Sequence, residues 1–276
     1  MPWSACLELD YRRHGERCVV YDRHTGPLRV LASLYPELPA VCHNVIIHPP
    51  GGIVGGDALS IDIALAPDTH ALLTTPGATR FYRSAGESAS QCVTARLARG
   101  ARLEWLPQAT ICHRGALAQN RMHFELEPGA EMIGWDVLSL GLPASNEAFE
   151  RGRITQTVTL GEVWREHGVI DGEDRRLLDS PLGLAGHRAL GLLWCAAGVP
   201  LASARRDALL ETAREASAAH PLRATAGSTS PHEQAVVFRV LAPRVEPLMQ
   251  LLRAVWSTWR PLAWGLSACA PRVWRT

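Results

Sequence analysis

The feature that most constrains this chain is a series of short segments in which apolar residues alternate with polar or small ones. Residues 59–65 read LSIDIAL, and residues 91–97, 154–160 and 234–240 alternate in the same way. Because successive side chains of a strand point to opposite faces, this period predicts strands with one buried face. Glycine or proline interrupts the segments about every 10 to 15 residues. The pattern predicts a mainly β chain of many short strands, antiparallel or coiled, rather than an α/β sheet.

Two segments in the C-terminal third have helical character. Residues 201–220 are rich in Ala, Leu, Glu and Arg, contain no glycine or proline, and precede Pro221. Residues 247–259 begin with proline, end before Pro261, and place apolar side chains at helical spacing. We therefore expect two α-helices. Residues 224–231 (ATAGSTSP) are small and polar, which predicts a mobile loop between them.

Composition limits the class of protein. The chain has 276 residues, 47% of them hydrophobic, which is enough for one large core. No break in composition divides it, so residues 1–276 are predicted to form a single domain. A net charge of +1 argues against nucleic-acid binding, which needs a concentrated basic surface. All 28 basic residues are arginine, so the lysine of phosphate-binding loops and of Schiff-base enzymes is missing.

The cysteines and the apolar segments indicate a compartment. Seven cysteines at irregular spacings, without any CxxC, favour reduced thiols over a disulfide framework. Residues 1–10 lack a basic segment followed by an apolar one, so no signal peptide is expected. The longest apolar segment, residues 190–201, contains Gly198 and Pro200 and is too short to span a bilayer. We expect a cytoplasmic protein without membrane contact.

A glycine-rich motif, HPPGGIVGGD at residues 48–57, is the most conspicuous candidate site. Its glycine spacing differs from that of dinucleotide-binding loops, and a strand rather than a helix is predicted after it. A tight double turn with glycines at positive φ is the better interpretation. His48 and Asp57, at the two ends of this turn, remain candidate ligands.

No motif for a catalytic residue occurs, and a zinc site is not favoured. GxSxG, HExxH and calcium-loop patterns are absent from the sequence. Cys42-His43 and Cys112-His113 place neighbouring residues on opposite strand faces, which predicts core cysteines beside exposed histidines. A hydrolase or transferase with residues dispersed over a β scaffold stays open as an alternative function.

Five segments follow one another along the chain: HPPGGIVGGD at 48–57, TTPGATRFYRS at 74–84, LEWLPQ at 103–108, GWD at 134–136 with Gly141, and PRVWRT at 271–276. Together and in this order, they resemble the motifs of the UreD (UreH) family of urease accessory proteins. Two positions depart from the family pattern: Arg80 stands where lysine is common, and Ala109 where glutamate is frequent. Any metal or partner role of that glutamate is therefore missing here.

The resemblance implies a fold, a function and partners. The family fold is a wound, helix-like β body with two α-helices, and no enzymatic reaction is attributed to it. The implied partners are a UreF-type protein, a UreG-type GTPase recruited through it, and apo-urease, into which the assembly assists nickel insertion. No tightly bound cofactor is expected, only transient nickel(II). A conformational chaperone that carries no metal is a further possibility.

Nickel transit requires sparse oxygen and nitrogen donors that bind weakly enough to release the ion. The candidates along the motifs are His48, Asp57, Glu104, Asp136 and Asp171. The alternative for each carboxylate is a surface position or an ion pair with arginine. For Glu104, alternation along its strand is equally compatible with a solvent-facing side chain.

The C-terminal tryptophans suggest a partner surface. Trp256, Trp259, Trp274 and the neighbouring Arg275 are predicted to contact the UreF-type partner, since tryptophan and arginine are favoured at interface centres. The alternative is that these rings close one end of the β core.

Overall fold

The computed structural model describes residues 2–37 and 39–275, so Met1, Leu38 and Thr276, the last residue of the C-terminal motif, lie outside the described residues. Strands dominate the fold, as predicted. They are β1 (Ser4–His14), β2 (Arg17–Thr25), β3 (Arg29–Val30), β4 (Val41–Ile47), β5 (Ala58–Leu65), β6 (His70–Thr74), β7 (Thr79–Phe81), β8 (Ala89–Leu97), β9 (Arg102–Trp105), β10 (Thr110–Cys112), β11 (Leu117–Leu126), β12 (Glu131–Leu142), β13 (Glu147–Ala148), β14 (Arg153–Leu160), β15 (Trp164–Asp171), β16 (Ala189–Ala197), β17 (Ala226–His232) and β18 (Ala235–Ala242).

Both predicted helices are confirmed. They are α2 (Ser203–Ala218) and α3 (Val245–Trp264), and a short helix that was not predicted, α1 (Arg175–Asp179), precedes them. Short 3-10 turns occupy Pro143–Ser145, Arg223–Thr225 and Arg272–Arg275. In the part of the chain that the structure describes, no helix combines the length and apolar character needed to cross a membrane.

Helix α3 continues past the end predicted for it. Pro261 lies inside the helix, on its exposed side, where the backbone carbonyl that loses its partner can face water. The last turn is held by tertiary contacts: Trp264 donates to a carboxylate of Glu131 at 2.7 Å, and Arg205 donates to the backbone oxygen of Ala263 at 2.9 Å. Gly265, at a φ of 67°, then ends the helix.

The mobile loop predicted for residues 224–231 is wrong. This segment contains β17, which pairs with β18 in antiparallel register, with an irregularity between Thr229 and His232. Its small side chains allow α2 to pack close by, and the hydroxyl of Ser228 donates to the backbone oxygen of Leu210 in α2 at 3.2 Å. Backbone pairing at a sheet edge thus ordered a segment whose composition is typical of a loop.

Two sheets face each other across the body. The first has the order β15-β14-β11-β8-β5-β1-β2, and the second has the order β17-β18-β16-β12-β9-β6-β4-β3. The neighbouring central strands of both sheets run parallel, because the chain alternates between the sheets as it winds. The body is therefore coiled, like a β-solenoid, which confirms the wound β fold.

Successive coils have unequal lengths. Ala58 pairs with Ser90, 32 residues later, whereas Ala89 pairs with Ala118, 29 residues later. A third, narrow face forms where β10 pairs in parallel with β7 and with the second half of β12. Because the number of residues per coil varies, no fixed sequence repeat is expected, although successive coils add parallel strands to the same two sheets.

The hydrophobic residues form two clusters, one on each side of the second sheet. The first lies between the two sheets, and the second lies between the second sheet and helices α2 and α3. Strand β12 contributes to both, with Met132 on the inter-sheet side and Trp135 on the helix side. This explains why β12 is buried along nearly its whole length. A single domain over residues 1–276 stays a prediction.

Candidate functional site

A cavity of about 180 Å³ lies between the two sheets, and four of the five motif segments line it. Its motif residues are His48, Gly51, Gly52, Thr75, Pro76, Gly77, Ala78, Thr79, Arg80, Trp105, Pro107, Gln108 and Asp136. The fifth segment is attached nearby, since Trp274 donates from Nε1 to the hydroxyl of Thr74 at 2.8 Å. Segments that are far apart in sequence thus converge on one place, which we call the inner cavity.

The glycine-rich motif forms the predicted double turn at the edge of this cavity. The amide of Gly51 donates to the backbone oxygen of His48 at 2.8 Å, and Gly51 and Gly56 have φ values of 75° and 89°. Gly52 is required for a different reason: a Cβ there would lie 2.0 Å from the ring of Tyr82. The turn therefore packs directly on the second motif segment, and its role here is structural.

Asp57 anchors the end of this turn. Its Oδ1 accepts from the backbone amide of Trp3 at 2.7 Å, and its Oδ2 accepts from that of Val54 at 3.0 Å. The carboxylate is buried and does not line the inner cavity. Both oxygens therefore hold backbone, and a nickel contact for Asp57 stays a prediction.

His48 lines the inner cavity and has one ring nitrogen without a partner. Its Nε2 is buried and has no hydrogen-bond partner among the described residues, and the same holds for Nε1 of Trp105, which also lines the cavity. Burial lowers the pKa of His48, against the opposing charge of Asp57. A lower pKa favours the neutral imidazole, which is the form that binds metals.

Asp136 lies at the junction of two spaces. It lines the inner cavity and also a pocket of about 550 Å³, which we call the outer pocket. Burial raises the pKa of Asp136 to about 7, although the side-chain amide of Gln156 donates a hydrogen bond to its carboxylate. No arginine contacts it among the hydrogen bonds of the described residues. The ion-pair alternative considered for Asp136 therefore does not apply.

The outer pocket lies between the β14–β15 edge of the first sheet and strands β16, β17 and β18 of the second. Glu166 and Arg239 connect these edges: Nη2 and Nε of Arg239 lie 2.6 and 3.2 Å from the two carboxylate oxygens of Glu166. The sequence offered no signal for this pair, because its members are 73 residues apart and neither lies in a motif.

Glu104 is buried, so the solvent-facing alternative is wrong for it. Its side chain is completely excluded from solvent and accepts hydrogen bonds from Arg260 at 3.0 Å and from Nε1 of Trp256 at 2.8 Å. His70 donates to the same carboxylate at 3.0 Å. Burial opposes ionisation, but the bonds from His70 and the charge of Arg260 lower the pKa of Glu104 overall. The carboxylate is thus saturated with donors on the helix side of the second sheet.

Asp171 lies at the surface, away from both spaces. Its Oδ2 accepts from Nη2 of Arg153 at 2.8 Å, and this ion pair together with the amide of Glu173 lowers its pKa. The structure therefore places Asp171 in the arginine pair considered as its alternative. Of the five candidate ligands, which all lie within the described residues, only His48 and Asp136 line the inner cavity.

The C-terminal tryptophans differ in exposure. Trp256 and Trp259 are buried, and Trp259 donates to the backbone oxygen of Leu209 at 2.8 Å, so both rings pack in the core as the alternative held. Trp274 is half-buried against Trp135 and Trp256, and Arg275 is exposed. Partner contact through Trp274 and Arg275 stays a prediction.

The Cys-His dipeptides are partly as expected. Cys42 and Cys112 are buried, but His43 is buried as well, because Glu37 on the preceding loop accepts its hydrogen bond at 2.7 Å. All seven cysteines lie within the described residues and are free thiols. Among residues 2–37 and 39–275, no three His, Cys, Asp or Glu side chains are arranged to hold a metal ion.

Comparisons with known proteins agree with the motifs. The profile of the UreD urease accessory protein family matches residues 4–275. The chain is 58% identical to the urease accessory protein UreD of Variovorax paradoxus over 276 residues, which covers 100% of both chains. It is 55% identical to the protein of the same name from Leptothrix cholodnii over 278 residues, again covering 100% of both. A third such relative, from Paracidovorax citrulli, is 55% identical over 274 residues, 99% of both chains.

Proposed function

The chain belongs to the UreD family of urease accessory proteins, and from that premise we propose that it assists nickel insertion by giving nickel(II) a passage through its β body. The family acts in urease maturation and is not a family of enzymes, so the hydrolase or transferase alternative is set aside. The proposed setting is the cytoplasm, whose reducing conditions suit seven free thiols.

The proposed partners are a UreF-type protein, a UreG-type GTPase that reaches this chain through it, and apo-urease. The exposed Arg275 and the half-buried Trp274, at the C-terminal end, are the proposed contacts with the UreF-type protein. GTP hydrolysis belongs to the partner, in keeping with a chain that has no lysine for a phosphate-binding loop.

The observation that carries the nickel proposal is the position of Asp136 on both the inner cavity and the outer pocket. Nickel enters the inner cavity beside the free Nε2 of His48, is passed to the carboxylate of Asp136, and leaves through the outer pocket. Imidazole nitrogen and carboxylate oxygen both suit nickel(II). Two such donors bind the ion without enclosing it, so each can exchange.

The protonation of Asp136 supports exchange. A carboxyl group with a pKa of about 7 is partly protonated at neutral pH, so nickel binding displaces a proton and proton return helps release the ion. Asp57 and Glu104 are left out of the passage, because neither lines the inner cavity or the outer pocket, and their oxygens bind backbone amides or buried donors. Asp171 is left out because it lies outside both spaces.

The test is urease activation in cells that co-express urease, its accessory proteins and variants of this chain. We expect Asp136→Ala and His48→Ala to lose most of the activation while co-purifying with the partners as the wild type does. Asp171→Ala, a carboxylate outside both spaces, is the matched control and should activate normally. Wild-type activation by both Asp136→Ala and His48→Ala would refute the passage.

The conformational alternative is separated by nickel binding. Calorimetry of the purified chain with nickel(II) should give a weak binding signal that decreases in Asp136→Ala and His48→Ala. If neither the wild type nor the variants bind nickel, yet the wild type supports activation, the chain acts on urease conformation alone.

A further inference from the structure

A row of polar side chains crosses the inner face of the first sheet. The strand register places Gln91 of β8 beside Asn120 of β11, Asn120 beside Gln156 of β14, and Gln156 beside Gly168 of β15. Adjacent strands lie about 4.8 Å apart, so each residue of the row is one short step from the next. Three of the four members are neutral amides.

The amides point into the spaces already described. Gln91 and Asn120 line the inner cavity, Gln156 lines the outer pocket, and Asn120 is only 1% exposed. Nε2 of Gln91 lies 3.4 Å from Oδ1 of Asn120, and Gln156 donates to Asp136 on the opposite sheet.

The neighbouring inward-facing row makes the polarity of this row stand out. One inward-facing position further along strands β8, β11 and β14, the register aligns the apolar side chains of Val93, Met122 and Val158, and this second row ends on β15 at Glu166. Asn120 is buried and Gln91 and Gln156 are half-buried. Amides removed from water cost free energy unless they find partners, so three in one row are a poor choice for packing alone. Their alignment between the inner cavity and the outer pocket indicates a function in nickel transport.

Gly168 ends the row on strand β15, and the space around it is open. A Cβ at this position would meet no atom within 4 Å, and its φ is not in the left-handed region. The glycine lines the outer pocket. Neither a turn nor a close approach of backbone therefore requires a glycine at position 168. Its effect is to leave the end of the row without a side chain.

We propose that Gln91, Asn120, Gln156 and Gly168 form the segment of the nickel passage that joins the inner cavity to the outer pocket. The amide oxygens act as successive weak ligands for hydrated nickel(II), and Gly168 is the outlet. This inference rests on the proposed function. Neutral oxygens suit such steps because a row of carboxylates would hold the ion more tightly and slow its departure.

The first test fills the outlet. Gly168→Leu places a side chain at the end of the row, and we expect loss of most of the urease activation in the co-expression assay. Val169→Phe is the matched control: Val169 is the next residue of strand β15, is exposed and does not line the outer pocket. It should activate as the wild type does. Thermal unfolding of both purified variants checks that they fold.

The second test changes the donor in the middle of the row. Asn120→Leu replaces the amide by a larger apolar side chain of the same branching, which removes the oxygen, and should lower activation. Asn120→Asp adds a charge and should make the purified full-length chain retain nickel(II) through gel filtration, measured by elemental analysis, where the wild type releases it. The amount of nickel(II) that Asn120→Asp retains is measured without the activation assay. It therefore tests the role of Asn120 even if Asn120→Leu folds poorly.

The outcomes separate this inference from the proposed function. Normal activation by Gly168→Leu, together with unchanged nickel retention by folded Asn120→Asp, overturns the row even if Asp136→Ala fails to activate urease. Normal activation by Asp136→Ala and His48→Ala removes the passage itself and the row with it. Loss of activation by Val169→Phe as well as Gly168→Leu would assign the effect to a disturbance of strand β15 and also overturn the outlet.

Discussion

Nε of Arg260 lies 3.0 Å from Oε1 of Glu104, and both side chains are completely excluded from solvent. The pair joins helix α3 to strand β9 across 156 residues of sequence. Arg260 also donates to Glu37 at 2.7 Å, so one guanidinium holds two carboxylates. These buried ion pairs therefore attach the C-terminal helix α3 to the rest of the fold.

Glu104→Ala should therefore destabilise the fold. Removing Glu104 leaves the buried guanidinium of Arg260 with Glu37 as its remaining carboxylate partner and leaves Nε1 of Trp256 without its acceptor. Loss of one member of a buried pair costs about 3 to 5 kcal/mol of unfolding free energy. Urea denaturation measures this. Glu125→Ala, which breaks the exposed pair with Arg96, is the control and should change little. Equal effects of the two substitutions would contradict the assigned role of Glu104.

Asp136→Asn should stabilise the fold at neutral and alkaline pH. The folded pKa of about 7 lies above that of an unfolded aspartate, near 3.9. The contribution of Asp136 to stability is therefore fully present below about pH 4 and is lost as the pH rises to about 7. The substitution removes this loss, which is on the order of 4 kcal/mol at most.

Denaturation midpoints at pH 4.5 and pH 8 test this sign. The advantage of Asp136→Asn over the wild type should be larger at pH 8. Asp171→Asn is the control of opposite sign, because the pKa of Asp171 is lowered and its stabilising effect is lost as the pH falls. A gain from Asp136→Asn that is independent of pH would contradict a protonated carboxyl group at this position.

Gly52→Ala should destabilise the chain and disturb the inner cavity. The added Cβ would meet the ring of Tyr82 at 2.0 Å, and relieving this overlap costs about 1 to 3 kcal/mol. Gly77→Ala, at another glycine of the same cavity, has open space and no positive φ, so it should be neutral. Thermal unfolding of the two variants decides between a packing requirement and general loop tolerance.

Arg275→Glu and Trp274→Ala should separate partner contact from packing. Arg275 is exposed, so its substitution should weaken co-purification with the UreF-type partner and leave the melting temperature unchanged. Trp274 packs on Trp135 and Trp256, so its removal should lower the melting temperature as well. Truncation before Pro271 should abolish co-purification. If the truncated chain still co-purified with the UreF-type partner, the tail would contribute to core packing alone.

Much of the fold was predictable because its signals are local. Alternation over residues 59–65 and 91–97 identified strands β5 and β8, and helical spacing identified α3. Strand β17 was missed because its residues have loop-like composition, and only pairing with β18 makes them a strand. The extension of α3 beyond Pro261 was missed because contacts made by Glu131 and Arg205 outweigh the local preference of proline.

The candidate site was predictable only in part. The motifs named His48 and Asp136, which line the inner cavity, but equally named Asp57 and Glu104, whose oxygens are already occupied. Nothing along the chain distinguishes a carboxylate that faces a cavity from one that anchors a helix. The pair of Glu166 and Arg239 had no signal at all, because it exists only where two sheet edges meet.

The sequence by itself determined the class of this protein. Its alternating segments required a mainly β body, and its five ordered motifs indicated the family, because both are properties of neighbouring residues. The tertiary structure alone decided which side chains face the cavities and which face the helices. That choice depends on winding: coils of unequal length bring Gln91, Asn120 and Gln156 into one row and place Asp136 opposite, and no spacing along the chain encodes such a register.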